Sequence, residues 1–176
     1  MFFIEDSNFL TDQHKECIEH IRKDDFPYFY QSDCVEDDEN IFLSHVLILR
    51  PEERINNQIY NSEFSEVFED MLITFCNKNQ VEHNETLRAS INLTFNNGQD
   101  KCLPHTDHKY YYKHLLIYLN DPVDNKSHTV ILDADEKHQL KRIVPEKYKG
   151  VCFENLPHYQ IYPKFGDRRV GVFTFK

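Results

Sequence analysis

The chain has 176 residues, of which 40% are hydrophobic, and it includes 14 Phe and 10 Tyr. This length and composition exclude a disordered chain and suit one core, so we expect a single domain over residues 1–176. The formal net charge of -10 repels a phosphate backbone and argues against nucleic acid as a partner.

The cysteines and the N-terminal residues bear on the cellular compartment. The five cysteines are widely spaced and form no CxxC pair, so they predict neither a disulfide framework nor a zinc ribbon. The N-terminus reaches acidic residues without a basic segment, unlike a secretory signal, and no apolar run approaches the ~18 residues of a membrane span. We therefore expect a cytoplasmic protein with reduced thiols and no membrane contact. The oligomeric state is left open.

Two helices are predicted from apolar residues that recur at helical spacing. Thr11 precedes the first segment, which contains Ile18 on its apolar face, and it suits the N-cap position. The second segment begins after Asn61 or Ser62, and its apolar stripe runs over residues 64–75. Such a stripe indicates a helix face packed in the core.

Most of the remaining chain is interpreted as strands. The segments that are rich in Val, Ile, Phe and Tyr are 26–30, 45–49, 87–95, 114–119, 129–132, 140–144, 151–154, 158–162 and 169–175. Pro27 cannot donate to a ladder, so the first of these strands is predicted at a sheet edge. The whole pattern predicts a mainly β fold with flanking helices, either a sandwich or a barrel.

The segment Pro104-His105-Thr106-Asp107 contains an H-x-D motif. Residues i and i+2 of an extended segment point to the same side, so His105 and Asp107 can reach one ion. His158 follows far downstream, and two His with one carboxylate are the facial triad that holds non-haem Fe(II) with open coordination positions. The triplet alone is a common pattern, and a polar turn is its alternative interpretation.

The order of several short motifs in this sequence carries a family resemblance. H-x-D is followed by Leu116-Ile117-Tyr118-Leu119-Asn120, then by His158 and then by Gly166-x-Arg168. This order resembles the Fe(II)/2-oxoglutarate-dependent oxygenases, especially small prolyl-hydroxylase-like members from bacteria and their viruses, over roughly residues 87–176. The resemblance implies a double-stranded β-helix core (jelly-roll or cupin-like) and the use of Fe(II), 2-oxoglutarate and O2.

The resemblance also implies a role for individual residues. His105, Asp107 and His158 match the iron ligands, which are the catalytic residues. Arg168 matches the basic residue that pairs with the distal carboxylate of 2-oxoglutarate, and Tyr118 matches a tyrosine that donates a hydrogen bond to the same group. A guanidinium suits the first of these two roles because it can form a bidentate, charge-assisted pair with a carboxylate.

Three further residues leave alternatives open. Neighbours on a strand face opposite ways, so only one of Arg168 and Arg169 can point inward. The ten-residue offset from His158 to Arg168 favours Arg168, and Arg169 is the alternative co-substrate residue. His108 is a rival metal ligand, although its side chain should leave the face that holds the motif. Asn92 lies on a strand expected to face the interior, where it could contact co-substrate or substrate or make a structural hydrogen bond.

The predicted activity is hydroxylation of an unidentified substrate, with release of succinate and CO2. By resemblance, a prolyl or other side chain in a peptide is the first expected substrate, and a free amino acid or other small molecule is the second. Tyr110-Tyr111-Tyr112 lies where a loop could stack on substrate, and packing at a strand edge explains it equally well. A cupin-like metalloenzyme without 2-oxoglutarate and a non-catalytic binding module on the same barrel are the remaining alternatives.

Overall fold

The computed structural model describes residues 2–35, 38–124 and 126–176. The elements in these ranges are β1 (Phe3–Asp6), α1 (Asp12–Ile21), β2 (Phe29–Gln31), β3 (Phe42–Ile48), a 3-10 helix (Pro51–Glu53), α2 (Ser65–Asn79), β4 (Thr86–Phe95), β5 (Lys113–Tyr118), β6 (Thr129–Leu132), β7 (Gln139–Ile143), β8 (Gly150–Glu154), β9 (His158–Gln160) and β10 (Asp167–Phe175). Within the described ranges, neither α-helix has the length and apolar character needed to cross a membrane.

The strands form two antiparallel sheets. The larger sheet has seven strands in the order β1-β8-β5-β10-β4-β3-β2, and the smaller has three in the order β7-β6-β9. The two sheets enclose an inner apolar cluster, to which β6 contributes Ile131 and β7 contributes Ile143. This is the arrangement of a double-stranded β-helix, and the prediction of a mainly β fold with flanking helices is confirmed.

The helices cover the outer face of the large sheet, while the inner face looks toward the small sheet. Side chains alternate between the two faces along β5, as the period of a strand requires. Leu115 packs with Phe68 and Phe75 of α2 in the outer cluster, whereas Leu116 and Tyr118 belong to the inner cluster. Residues of β5 with even numbers therefore face the space between the sheets.

The two helix starts differ in how well they were predicted. The Thr11 hydroxyl accepts a 3.2 Å hydrogen bond from the His14 amide, and Nδ1 of His14 accepts one from the Thr11 amide, so the predicted N-cap of α1 is confirmed. The predicted cap of α2 at Asn61 or Ser62 is wrong, because the N-cap is Phe64. Ser62 instead accepts a hydrogen bond from the Phe64 amide at 3.2 Å, within the turn that leads to α2.

Two of the strands near the N-terminus also differ from the prediction. β1 was not predicted, and it pairs with β8 so that Phe3 lies opposite Phe153. The strand predicted at 26–30 is displaced, because β2 begins at Phe29, after Pro27. The reason is that Pro27 removes a backbone donor and the ladder forms only beyond it. β2 does lie at the edge of the large sheet, as predicted for this strand.

Candidate metal and co-substrate site

A cavity of about 470 Å³ lies between the two sheets. Its walls include five of the residues that the sequence singles out: His105, Asp107, His158, Arg168 and Asn92. The structure therefore brings the two halves of the proposed site, the metal motif and the basic residue, into one enclosed space. The five wall residues come from segments that are up to 76 residues apart in the sequence (from 92 to 168).

The backbone holds the H-x-D segment against β9. The His105 amide donates to the His158 carbonyl at 3.0 Å, and the His158 amide donates to the His105 carbonyl at 3.0 Å. This reciprocal pair is an isolated antiparallel bridge between the two residues. It places both imidazoles on one side, with their ring centroids 4.8 Å apart.

Hydrogen bonds to the backbone orient both imidazoles in the same way. Nδ1 of His105 donates to the Leu103 carbonyl at 3.1 Å, and Nδ1 of His158 donates to the Leu156 carbonyl at 3.0 Å. Because a carbonyl oxygen only accepts, each Nδ1 carries the proton and each Nε2 keeps its lone pair. Such a bond to the other ring nitrogen is the usual support of a metal-ligating histidine.

Asp107 completes a group of three potential ligands. One donor atom each from His105, Asp107 and His158 lies within 4.8 Å of the others. Oδ1 of Asp107 accepts a 2.7 Å hydrogen bond from Arg88. Oδ2 is buried without a hydrogen-bond partner among the described residues and lies 3.6 Å from Nε2 of His158. One carboxylate oxygen is thus anchored, and the other remains available toward the imidazoles.

The charge states of Asp107 and His158 favour metal binding, whereas the pKa of His105 is raised, because the effect of burial is outweighed by its contacts with Cys102 and Asp107. Burial opposes the charged form of Asp107, yet the permanent positive charge of Arg88, which donates a hydrogen bond to Oδ1, helps to hold the pKa of its carboxyl well below its usual range. Burial lowers the pKa of His158, which keeps its imidazole neutral near pH 7. A carboxylate and neutral imidazoles are the forms that ligate a metal.

A further histidine, His114, lies beside this group. Its Nε2 is 3.7 Å from Oδ2 of Asp107, and neither of its ring nitrogens has a hydrogen-bond partner among the described residues. Burial lowers the pKa of His114 to about 3, so the imidazole is neutral. By contrast, the rival candidate His108 turns away from the cavity, and its Nε2 is 2.8 Å from the Thr174 hydroxyl.

Arg168 lies at the other end of the cavity and is only 4% exposed. It donates at 2.7 Å to the Gln160 side-chain oxygen and at 2.7 Å to the Thr129 hydroxyl. The Tyr118 hydroxyl donates to the same Thr129 oxygen at 2.9 Å, and the Tyr118 ring centroid is 5.4 Å from the guanidinium carbon. Among the described residues, no carboxylate lies within 4.0 Å of Arg168, whose Nε has no partner. A buried cation without a counter-ion is costly unless an anion binds it.

Strand parity separates Arg168 from Arg169. Arg169 lies on the opposite face of β10, where its Nε donates at 2.7 Å to Asp167 and its guanidinium reaches the Ile21 carbonyl. Asn92 faces the cavity, but its side-chain oxygen already accepts hydrogen bonds from two serine hydroxyls. Of the two arginines, Arg168 is the one that lines the cavity, and its Nε has no hydrogen-bond partner among the described residues.

The tyrosines that follow the motif divide between two environments. Tyr112 is fully buried, and its hydroxyl accepts a 2.9 Å hydrogen bond from the Asp107 amide. Tyr110 and Tyr111 are 40% and 55% exposed. Tyr112 therefore supports the metal motif, and Tyr110 and Tyr111 are the aromatic rings open to solvent.

Two arginines at the site were not found from the sequence. Arg88 contacts Asp107 as described above, and Arg50 donates at 2.9 Å to the Asp107 carbonyl. Arg88 had a usable signal: it lies four residues before Asn92 on β4, so the same alternation turns both toward the interior. Arg50 follows the end of β3, outside any periodic pattern, and the sequence offers no comparable signal for it.

The donor set fits Fe(II). Two imidazoles and one carboxylate on one side of an ion leave neighbouring coordination positions free, which is the arrangement of non-haem Fe(II) oxygenases. The unpartnered Oδ2 of Asp107 and the two inward Nε2 atoms are the three donors.

Comparison with known proteins gives relatives in structure but not in sequence. No protein-family model and no curated protein matches the sequence. A Burkholderia pseudomallei oxidoreductase of the 2OG-Fe(II) oxygenase family aligns with 99% of this chain and 84% of its own, at a TM-score of 0.75 and 13% identity. The viral collagen prolyl hydroxylase of Paramecium bursaria Chlorella virus-1, in a 2OG complex, aligns with 99% and 95%, at a TM-score of 0.60 and 13% identity.

A third similar structure contains a peptide. It is a Trichoplax adhaerens prolyl hydroxylase in complex with a fragment of the hypoxia inducible factor oxygen degradation domain, which aligns with 98% of this chain and 83% of its own, at a TM-score of 0.62 and 14% identity. At such identities the likeness establishes the fold. The chain therefore has the double-stranded β-helix fold of the 2OG-Fe(II) oxygenases.

Proposed function

We propose that the protein is an Fe(II)- and 2-oxoglutarate-dependent dioxygenase. The observation that carries this proposal is the position of Arg168, a buried cation without a carboxylate partner among the described residues, in the same cavity as a His-Asp-His donor set. In a metalloenzyme that bound no acidic co-substrate, no anion would offset the cost of burying this cation. The shared fold supports the same reaction class.

The proposed roles follow from the donor atoms. Nε2 of His105, Nε2 of His158 and Oδ2 of Asp107 would hold Fe(II). Bound Fe(II) and 2-oxoglutarate would supply the chemistry in which O2 converts 2-oxoglutarate to succinate and CO2 and the second oxygen atom enters a substrate C–H bond as hydroxyl. The chain itself contributes orientation and exclusion of water.

The residues around Arg168 would bind the distal carboxylate of 2-oxoglutarate. Its guanidinium would form a charge-assisted pair with that group, and the Tyr118 and Thr129 hydroxyls lie beside it to complete the hydrogen bonds. The packed inner cluster behind them, which includes Val170 and Leu116, keeps this end of the cavity dry. Low local dielectric strengthens the ion pair.

The proposed substrate is a prolyl or other side chain in a peptide, and a free amino acid or another small molecule is the alternative. The peptide complex of the Trichoplax prolyl hydroxylase supports the first choice by likeness of fold. Succinate release above the uncoupled background, measured with proline-containing peptides and with free amino acids, distinguishes the two.

Anaerobic titration of the apoprotein with Fe(II) and then with 2-oxoglutarate tests the reaction class. We expect a metal-to-ligand charge-transfer absorption band only after both are present. Asp107→Ala should abolish Fe(II) binding. Arg168→Gln should spare Fe(II) binding and weaken 2-oxoglutarate, because only the distal carboxylate loses its partner.

Arg169→Gln is the matched control, since the same substitution is made one residue away on the opposite face of β10. It should leave both affinities unchanged. If Arg169→Gln weakened 2-oxoglutarate and Arg168→Gln did not, the co-substrate assignment would be reversed. If the wild type bound Fe(II) but gave no band with 2-oxoglutarate, a metalloenzyme without that co-substrate would replace the proposal.

A further inference from the structure

A second group of potential metal ligands adjoins the first. One donor atom each from Cys34, Cys102 and His105 lies within 4.8 Å of the others, and both cysteines are free thiols that line the cavity. We propose that these three residues bind a thiophilic cation of the Zn²⁺ type, at a site distinct from the Fe(II) position.

Cys102 is held rigidly for this role. It is 1% exposed, and its amide donates at 3.2 Å to the Gln160 carbonyl. The Gln160 amide in turn donates to Sγ of Cys102 at 3.3 Å. This pairing with β9 continues at His105, whose backbone bridges His158. Two of the three ligands are therefore positioned by the same strand.

Cys34 approaches from a different part of the chain. It lies between β2 and β3, and its amide donates at 3.0 Å to the side chain of Asp38. The cysteine comes 68 residues before Cys102 (34 to 102), so only the fold brings the two sulfurs together. Both cysteines line the cavity, so a cation that enters the cavity can reach them.

The chemistry of the donors selects the cation. Two thiolates and an imidazole match the Cys/His sets of zinc sites, and soft sulfur ligands favour Zn²⁺ or Cu(I) over Fe(II). Zn²⁺ binds cysteine as thiolate, so each Zn–S bond that forms at a protonated thiol releases one proton to solvent. Three protein ligands leave the fourth tetrahedral position to water or another small ligand.

The two groups share His105, and this makes them mutually exclusive. Nδ1 of His105 is engaged with the Leu103 carbonyl at 3.1 Å, so only Nε2 has a free lone pair. The single free lone pair of Nε2 can coordinate only one cation at a time. A thiophilic cation at Cys34 and Cys102 therefore withdraws His105 from the triad and opposes Fe(II) binding. This competition rests on the proposed function, whereas the thiolate site itself does not.

Anaerobic titration with Co(II), in the presence of a phosphine reductant, tests the site directly. Thiolate ligation of Co(II) gives an intense near-ultraviolet charge-transfer absorption that nitrogen and oxygen ligands do not give. We expect this band in the wild type and in Asp107→Ala, because Asp107 belongs only to the other group. Cys34→Ser and Cys102→Ser should lose it, and added Zn²⁺ should abolish it in the wild type.

Cys17→Ser is the matched control, since Cys17 lies on α1 and should leave the band intact. Circular dichroism checks that each variant is folded. If Cys102→Ser does not fold, the Co(II) band of Cys34→Ser alone tests the proposed site. Absence of the band in the folded wild type, or its persistence in Cys34→Ser, would overturn the proposed site.

The competition between Zn²⁺ and Fe(II) for His105 is measured in a separate experiment. Zn²⁺ should suppress the absorption band of the Fe(II) and 2-oxoglutarate complex, and Cys34→Ser should require at least about tenfold more Zn²⁺, as expected when a metal site loses a ligand or its support. Equal sensitivity of both proteins to Zn²⁺ would refute the competition. A protein with the Co(II) thiolate band but without the Fe(II) and 2-oxoglutarate band would retain this site and lose the proposed function.

Discussion

Arg88 and Asp107 form a buried ion pair, in which the guanidinium donates to Oδ1 of Asp107 at 2.7 Å. The other oxygen, Oδ2, is the one that lies 3.6 Å from Nε2 of His158 and 3.7 Å from Nε2 of His114. The pair thus divides the carboxylate into an anchored oxygen and a metal-facing oxygen. The side chains of Arg88 and Asp107 are 16% and 7% exposed, so solvent provides little substitute for the interaction.

Replacing Arg88 with methionine should weaken Fe(II) binding by about 10- to 100-fold, the usual cost of losing a residue that orients a metal ligand. The metal-free protein should also lose up to about 3–5 kcal/mol of stability. The buried carboxylate loses its hydrogen-bonded cation and keeps only the more distant guanidinium of Arg50, 3.9 Å from Oδ1. Fe(II) titration and urea unfolding measure the two effects. The affinity for 2-oxoglutarate in Fe(II)-saturated protein should change little, since Arg168 is untouched.

Arg142→Met is the control for this variant, because Arg142 is an exposed residue of β7. It should leave both Fe(II) affinity and stability unchanged. If Arg88→Met bound Fe(II) as tightly as the wild type, Arg88 would have a structural role only.

The relative placement of neighbouring residues follows from local rules, whereas His158 was assigned to the same predicted site by the family resemblance. The i, i+2 relationship puts His105 and Asp107 on one side, and strand parity puts Arg168 and Arg169 on opposite sides of β10. Both rules depend only on neighbouring residues. The structure adds the partner of each group, such as Thr129 for Arg168.

Features that depend on distant pairing were not accessible in the same way. Arg88 could have been assigned to the interior by parity, but its partner Asp107 lies 19 residues away across a loop. β1 is four residues long and contains two acids, so it shows no clear alternation and forms because β8 offers an unpaired edge. Cys34 and Cys102 are 68 residues apart in the sequence (34 to 102), so no local pattern predicts that their sulfurs lie close together.

The metal-free protein should lose stability in acid partly through His114. Burial lowers the pKa of His114 from 6.5 to about 3, so between these values the unfolded state binds a proton at this site and the native state does not. Stability therefore falls as pH falls through this window. At pH 5 the contribution is about 2 kcal/mol, at 1.36 kcal/mol per pH unit below 6.5.

His114→Phe should remove this contribution, because the ring next to Phe153 keeps its shape and loses its titration. Urea unfolding of the metal-free proteins at pH 7.5 and pH 5 measures the difference. His20→Phe, at an exposed position of α1, should lose as much stability in acid as the wild type. The same loss in His114→Phe would show that His114 does not titrate in this range.

Gly150 sits where helix α2 meets the large sheet. A Cβ added to Gly150 would lie 2.8 Å from the Phe75 ring and 2.8 Å from the Phe9 ring, which is closer than packed carbon atoms allow. Gly150→Ala should therefore destabilise the protein by about 1–3 kcal/mol through overpacking. Thermal unfolding measures this, and the cost should be smaller in a Phe75→Leu background because the two sites are in contact. Equal costs in the two backgrounds would exclude the clash with Phe75 as the cause.

The Tyr118 hydroxyl should contribute modestly to co-substrate binding. It lies in the inner core, where it donates to Thr129 at 2.9 Å beside the Arg168 guanidinium. Tyr118→Phe should weaken 2-oxoglutarate by about 2- to 10-fold, the effect of one hydrogen bond worth about 0.5–1.5 kcal/mol, and it should leave Fe(II) affinity unchanged. Titration of the charge-transfer band measures both constants. Tyr111→Phe, at a side chain that is 55% exposed, is the control and should have no effect. An unchanged 2-oxoglutarate affinity in Tyr118→Phe would mean that the hydroxyl serves only Thr129, and that Arg168 binds the carboxylate without it.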